Sequence, residues 1–193
     1  MYLKRNRVLE ILALYLSDYN KQFYLREISK LAKIPLKTTQ TLIANLERDK
    51  LLKSTVKGKN KYFRLNLDNI KTKFYLLQSE LNRTLIFVEN YPLFKNFIGK
   101  IKINAPMVVF GSFAKFKADK ESDLDLLIIS KLKVNLPLHL LAYKIHEIYL
   151  DENSFKKSLE KKQALIMEIK DNHIILNNHS FFVNVTWSYH EKQ

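Results

Sequence analysis

The hydrophobic positions in the first third of the chain recur at helical spacing in three segments. Residues 5–17 carry a wide apolar face, and residues 24–32 repeat apolar side chains every three or four positions. Ile34 and Pro35 end the second segment, because the residue before a proline disfavours helical backbone angles. A third helix is predicted over about 36–49. Its predicted core positions are Leu42, Ile43 and Leu46.

Two short strand-like segments follow, at 51–56 and 61–66. The basic turn Lys57-Gly58-Lys59-Asn60 separates them, which predicts a hairpin. Residues 69–99 return to spacings of three and four, typical of a long amphipathic helix that Pro92 interrupts. Such a connector couples two domains rigidly or forms a surface for homo-oligomers, and the pattern does not distinguish these alternatives.

The middle of the chain reads as an apolar strand, a Gly-Ser turn and a second strand that opens with two carboxylates. The first strand and its turn are Val108-Val109-Phe110-Gly111-Ser112. The second strand is Asp123-Leu124-Asp125-Leu126-Leu127-Ile128-Ile129. Because residues two apart on a strand face the same side, Asp123 and Asp125 project together. Paired carboxylates suit a divalent cation, and a glycine turn lets the backbone approach phosphate. The pattern indicates chemistry on a nucleoside triphosphate.

The last quarter of the chain is predicted to hold a helix and a closing hairpin. Residues 155–171 have the apolar spacing of a helix, and residues 174–176 and 181–185 are interpreted as two strands around a turn at 177–180. His173 and His179 lie near turns and are expected at the surface. Trp187 is interpreted as a packing residue.

The composition is that of a folded protein without cysteine. Hydrophobic residues make up 47% and aromatic residues 12% of 193 residues, as expected of a folded chain. The chain has no cysteine, which excludes disulfides and thiolate metal sites. No apolar run approaches a membrane span, and residues 1–7 lack a signal-peptide core, so we expect a cytoplasmic protein without membrane contact.

The positive charge is concentrated at the N-terminus. The formal net charge is +14, of which residues 1–68 hold +9 through 15 Lys/Arg and 6 Asp/Glu. Such a segment suits a polyanionic partner, because Lys and Arg release counterions when they neutralise phosphates. The alternative is a generally Lys-rich composition that only keeps the protein in solution.

Residues 4–67, with three helices and a hairpin, resemble a winged helix-turn-helix domain. The likeness rests on Leu25-Arg26-Glu27-Ile28, the exit from Leu46 to Leu52, and the return strand from Tyr62 to Leu65. The resemblance implies DNA binding, with the third helix in the major groove and the hairpin on the backbone or in the minor groove. Base contacts would then come from Lys37, Thr38, Gln40 and Thr41, and phosphate contacts from Lys57, Lys59 and Lys61. The alternative is a domain used for dimerisation or protein contact.

Gly111-Ser112, ten residues and then Asp123-Leu124-Asp125 resemble the nucleotidyltransferase superfamily typified by DNA polymerase beta, and within it the minimal nucleotidyltransferases. The resemblance implies a mixed sheet flanked by helices. It also implies nucleotide binding by Gly111, Ser112 and Ser122, and Mg²⁺ or Mn²⁺ held by Asp123 and Asp125. The lysines at 115, 117 and 120 either meet the triphosphate tail or lie in a solvated loop.

One residue departs from this family pattern. Members of the superfamily usually carry a third carboxylate on a later strand, predicted here at 143–150, and His146 takes its place. Imidazole accepts a proton but is a poor magnesium ligand, so His146 is a candidate catalytic residue or a half-exposed structural histidine. Glu147 is expected on the opposite face of the strand. A one-residue shift or bulge in that strand would exchange the positions of His146 and Glu147.

Together these observations predict an α+β chain of three parts: a winged helix-turn-helix at 1–68, a helical connector at 69–99 and a nucleotidyltransferase domain at 100–193. The resemblance implies transfer of a nucleotide, AMP from ATP, to a macromolecule. Minimal nucleotidyltransferases commonly act as antitoxins, which makes a partner toxin of the HEPN class a reasonable acceptor. The alternatives are a DNA-binding transcriptional regulator with an impaired, nucleotide-sensing domain, and nucleotide addition to RNA.

Overall fold

The computed structural model describes residues 6–191 and divides them into two compact units. The first unit runs from Asn6 to Ser79 and includes His190 and Glu191, and the second is Glu80–Tyr189. The prediction that the N-terminus lacks a signal-peptide core concerns residues 1–7. Of these, residues 1–5 lie outside the described part of the chain. Within residues 6–191, no helix is both long and apolar enough to cross a membrane.

The first unit combines short helices with a small sheet. Its elements are α1 (Arg7–Ala13), β1 (Phe23–Tyr24), α2 (Leu25–Ala32), α3 (Leu36–Arg48), β2 (Leu52–Lys57) and β3 (Asn60–Leu65). The sheet has the order β1-β3-β2 with both pairs antiparallel, and the chain turns at Gly58, where φ is +59°. The three helices and the hairpin are therefore present, while a winged helix-turn-helix domain remains a prediction.

Two details of these helices differ from the sequence-based expectation. Regular helix in α1 ends at Ala13, and turns occupy residues 14–17. In α3 the predicted core positions Ile43 and Leu46 are buried, but the third buried residue is Thr39, while Leu42 is only half-buried. The Thr39 hydroxyl lies 3.2 Å from the carbonyl oxygens of both Ile34 and Pro35, which gives a buried polar group the partners it needs.

The second unit is built around a four-stranded sheet. Its helices are α4 (Ile70–Asn90, which begins in the first unit), α5 (Leu93–Lys100), α6 (Gly111–Ala114), α7 (Glu152–Glu160), α8 (Ala164–Asp171) and α9 (His179–Glu191, which ends in the first unit). Its strands are β4 (Met107–Phe110), β5 (Leu124–Ile129), β6 (Ile145–Leu150) and β7 (Ile174–Asn177). The break between α4 and α5 lies at Pro92, as predicted.

The strand order is β6-β5-β4-β7, with β5 and β6 parallel and the other pairs antiparallel. One face packs on phenylalanines of α4 and α5, and the other packs on apolar residues of α7, α8 and α9. Because both faces are covered, β4 and most of β5 are apolar throughout. The prediction of an α+β chain with a mixed C-terminal sheet is confirmed.

The predicted closing hairpin is wrong, because β7 leads into the helix α9. The buried residues of α9 follow helical spacing, but two of them are polar, so a count of apolar residues conceals the helix. They are Phe182, Val183, Thr186, Trp187 and His190. The predicted helix over 155–171 is also two helices, which separate where Lys162 adopts φ +53° without a glycine to mark the turn.

His173 was expected at the surface and is instead fully buried. Its Nε2 lies 2.8 Å from Oε1 of Glu80, which is also buried, and its Nδ1 faces the carbonyl oxygens of Ile169 and Lys170. Burial alone would raise the pKa of Glu80, but the charge and hydrogen bond of His173 outweigh burial and lower it.

His179 is likewise largely covered rather than exposed. Its Nε2 lies 2.9 Å from Oγ1 of Thr84, whose hydroxyl is also 2.6 Å from the carbonyl oxygen of Ile175. Burial lowers the pKa of His179 below its ordinary value of 6.5, because the charged ring loses its hydration. The two histidines therefore stabilise the junction of α4 with β7 and α9.

Candidate functional site

The candidate site begins where the backbone of Gly111 meets the side chain of Asp125. β4 ends at Phe110, which pairs with Asp125 in the antiparallel register. Gly111 follows with φ +70°, and a Cβ atom placed on it would lie 2.3 Å from Oδ2 of Asp125. A side chain is therefore excluded at position 111, both by backbone angle and by space. The turn brings the chain directly over the carboxylate.

The two aspartates of the motif lie at the start of β5 and have different partners. Asp125 is in the strand, and its Oδ1 lies 3.4 Å from Nδ1 of His146. Asp123 precedes the strand, and its Oδ2 accepts a 2.9 Å hydrogen bond from Nζ of Lys144. The Asp125 side chain is 29% exposed and that of Asp123 is 47% exposed, so both carboxylates are accessible to a ligand.

His146 faces the same side of the sheet as Asp125. β5 and β6 pair in parallel without a shift, so that Asp125 lies opposite His146 and Leu126 opposite Glu147. Neighbouring residues in register project to one face, so Glu147 points away from the aspartates. Its Oε2 accepts a 3.1 Å hydrogen bond from the Tyr149 hydroxyl. The structure thus brings His146 to Asp125, while Asp123 contacts Lys144 and Glu147 lies on the other face.

This donor set fits a magnesium ion only in part. Among residues 6–191, no three His, Asp or Glu side chains converge to hold a metal ion. Mg²⁺, however, is commonly held by one or two carboxylates together with substrate phosphates, and Asp123 and Asp125 can supply that pair. The imidazole of His146 is unsuited to magnesium. Asp123 and Asp125 are therefore the residues that would hold a nucleotide-bound cation.

The residues between the turn and the aspartates are engaged with one another. The Ser122 hydroxyl donates to Oδ1 of Asp119 at 2.8 Å and accepts from the Asp119 backbone N–H. This hydrogen bond is the first cause of the lowered pKa of Asp119. Lys115 pairs with Glu168 at 2.9 Å, whereas Lys117 and Lys120 are exposed. Ser122 thus shapes the loop before Asp123, while Ser112 lies in α6 directly after Gly111.

The residues predicted to contact nucleic acid lie on α3 and the hairpin of the first unit. Lys37, Gln40 and Thr41 are exposed and Thr38 is half-buried. The three hairpin lysines differ in their partners. Lys57 donates to Oε1 of Gln22 and Lys61 to Oε2 of Glu47, each at 2.9 Å, while Lys59 is exposed in the turn.

A groove of about 720 Å³ separates α2 and α3 from this hairpin. Gln40, Lys59 and Lys61 line it together with Arg26 and Asn60, two residues outside the predicted contact set. Glu47 also lines the groove. Burial acts to raise the pKa of Glu47, but hydrogen bonds from Ser54 and Lys61 lower it below the ordinary value. Arg26 could have been found as an exposed cation in the first turn of α2.

A comparison with known protein families identifies the second unit's motif region. Residues 93–179, which contain β4, the Gly111 turn, β5 and β6, match the family model described as a nucleotidyltransferase domain. Neither the curated proteins nor the solved structures yield a match to this chain. The match covers less than half of the chain and supports a nucleotidyl transfer function.

Proposed function

We propose that this protein is a magnesium-dependent nucleotidyltransferase that transfers AMP from ATP to a macromolecular acceptor. The observation that carries the proposal is the placement of Gly111 over Asp125 inside the segment that matches the family model. Asp123, two residues earlier in the chain, supplies the second carboxylate.

Each residue of this site has a role in the proposed reaction. The Gly111 backbone and the Ser112 hydroxyl bind the phosphates, because the turn carries no side chain that would block them. Asp123 and Asp125 would hold the Mg²⁺ of a bound nucleotide. When bound, the ion would offset the negative charge that develops as an acceptor oxygen bonds to the α-phosphorus and pyrophosphate leaves.

His146 supplies the position where the acceptor proton would go. Its ring lies 3.4 Å from Asp125 and its side chain is 68% exposed, so an acceptor hydroxyl can reach it. An imidazole can act as a general base that accepts such a proton. This arrangement replaces the third carboxylate of the family pattern by a base that does not bind magnesium.

The same residue motivates a second candidate function. A site with two carboxylates and a histidine binds a nucleotide-bound cation without the third carboxylate that helps position metal for transfer. A DNA-binding transcriptional regulator whose nucleotidyltransferase domain senses nucleotide requires binding only. Nucleotide binding without transfer to any acceptor would favour this alternative.

For the first unit we propose duplex DNA as the partner, through a winged helix-turn-helix arrangement. The support is the antiparallel hairpin after α3, the exposed polar residues of α3 and the cationic groove lined by Arg26, Lys59 and Lys61. For the acceptor we propose a hydroxyl-bearing side chain of a partner toxin of the HEPN class. That proposal rests on the resemblance to minimal nucleotidyltransferases.

Calorimetric titration of Mg-ATP into wild type and an Asp123→Asn/Asp125→Asn variant tests the nucleotide site. The matched control is Glu89→Gln/Glu152→Gln, which removes two exposed carboxylate charges outside the loop and strand that carry the aspartates. We expect binding in wild type and in the control, and loss of binding in the aspartate variant. Equal affinity in all three proteins would overturn the assignment of Asp123 and Asp125.

Transfer is tested with ATP labelled at the α-phosphate and a panel of protein and RNA acceptors. Incorporation that requires both aspartates supports the enzyme. Binding without incorporation supports the regulator, and incorporation into RNA alone would replace the protein acceptor. Gel shifts with duplex DNA and structured RNA test the partner of the first unit separately.

A further inference from the structure

Lys144, the residue directly before β6, contacts the candidate site. Its Nζ donates to Oδ2 of Asp123 at 2.9 Å, although its side chain is 84% exposed. Its carbonyl oxygen accepts a 2.8 Å hydrogen bond from the Leu124 backbone N–H. The backbone of Lys144 is thus anchored next to the motif, while its long side chain is open to solvent. The ammonium group can move without disturbing the sheet.

The contact places a monovalent cation on the carboxylate that would hold a divalent one. Asp123 and Asp125 would both coordinate Mg²⁺ in the proposed function, and a bound ion would compete with the ammonium group for Asp123. An exposed ion pair contributes little free energy, so a divalent cation can displace Lys144. The displaced side chain would then remain beside the site, near the phosphates that accompany the ion.

We propose that Lys144 is a displaceable cation that regulates metal loading: it occupies Asp123 in the metal-free protein and binds nucleotide phosphate once the divalent cation has taken that carboxylate. The inference deepens the proposed function, and its phosphate part rests on that function. The part that concerns metal binding depends only on the contact between Lys144 and Asp123, and not on nucleotide transfer. Phosphate is a strong acceptor for an ammonium group, which makes the transfer favourable.

Two titrations of the full chain test this role, one with Mn²⁺ alone and one with Mg-ATP. The variants are Lys144→Gln, which removes the cation, and Lys144→Arg, which keeps it. The matched control is Lys131→Gln, with the same charge change beyond the opposite end of β5. β5, a six-residue strand of roughly 20 Å, separates Lys131 from the aspartates. Because this distance exceeds the screening length of about 8 Å at physiological salt, the charge of Lys131 should not affect the site.

We expect Lys144→Gln to bind Mn²⁺ about two- to fivefold more tightly, the range that an exposed ion pair can account for. Its affinity for Mg-ATP should fall about tenfold, as for the loss of one charged hydrogen bond. Lys144→Arg and Lys131→Gln should match wild type in both titrations.

Equal Mn²⁺ affinity in wild type and Lys144→Gln would overturn the metal part. Unchanged Mg-ATP affinity in Lys144→Gln would overturn the phosphate part. If wild type itself bound no Mg-ATP, the proposed function and the phosphate part would fall together. Tighter Mn²⁺ binding by Lys144→Gln would still support the metal part, so the two failures are distinguishable.

Discussion

Gly111 and Asp125 occupy space that a single methyl group would disrupt. A Cβ atom on Gly111 would lie 2.3 Å from Oδ2 of Asp125, well inside van der Waals contact, and 3.4 Å from its Cγ. Two motifs separated by ten residues in sequence therefore meet in the fold. The contact explains why glycine is required before Ser112 if the carboxylate is to keep its position.

Gly111→Ala should weaken Mg-ATP binding about tenfold or more, because the added methyl group would push Asp125 out of position. A loss of only ~1.4 kcal/mol of binding free energy already lowers the affinity tenfold. The matched variant is Gly58→Ala, because Gly58 also has positive φ, +59°, but a Cβ there would meet nothing within 4 Å. Both variants share a backbone cost of roughly 1–2 kcal/mol. Calorimetry with Mg-ATP should show a loss only for Gly111→Ala. Equal binding by both variants would contradict the role of the contact.

His173→Leu should destabilise the second unit by about 3–5 kcal/mol, because the buried carboxylate of Glu80 loses its 2.8 Å hydrogen-bond partner and keeps only Arg83, at 3.9 Å. The double variant Glu80→Met/His173→Leu should recover most of that loss, since an apolar pair of similar volume needs no partner. Urea unfolding followed by circular dichroism measures both. A double variant as unstable as the single one would show that packing, rather than charge, controls this position.

Acidification should destabilise the second unit through His179. Because burial lowers its folded-state pKa below 6.5, the unfolded chain takes up the proton at higher pH than the folded chain. The contribution of His179 is fully present above pH 6.5 and is lost as the pH falls through the lowered pKa. Glu80, whose pKa is lowered below 4.5, acts in a separate and more acidic window, where stability falls as the carboxylate is protonated.

The measurement is urea unfolding at several pH values between 5 and 7.5, for wild type and His179→Gln. Glutamine keeps a hydrogen-bonding group near Thr84 but cannot titrate. We expect wild type to lose more stability than the variant over this range. Parallel pH curves for the two proteins would exclude His179 as the source.

The hairpin lysines should contribute unequally to duplex DNA binding. Lys59→Ala should lower affinity more than Lys61→Ala, because Lys61 is already paired with Glu47 at 2.9 Å. Glu47→Gln should raise affinity by releasing Lys61. Fluorescence anisotropy at several salt concentrations measures these effects, and loss of one phosphate contact reduces the salt slope by about 1. Equal effects of the two lysine variants would argue against the free position of Lys59.

The sequence by itself determined the local parts of this protein. Helical spacing in 24–32 and 36–49 predicted α2 and α3, and the basic glycine turn predicted the hairpin. The apolar run before Gly111 and the alternation from Asp123 predicted β4 and β5. These features are local, because residue period and turn chemistry act between neighbours in the chain.

Only the tertiary structure decided how distant residues meet. The pairing of Glu80 with His173 joins residues 93 apart, and neither flanking sequence reveals a buried partner. α9 was mistaken for a strand because Thr186 and His190 occupy buried helical positions that an apolar count omits. The contacts of Lys144 with Asp123 and of His146 with Asp125 depend on the parallel register of β5 and β6. Register is set by packing across the whole sheet, which sequence periodicity does not specify.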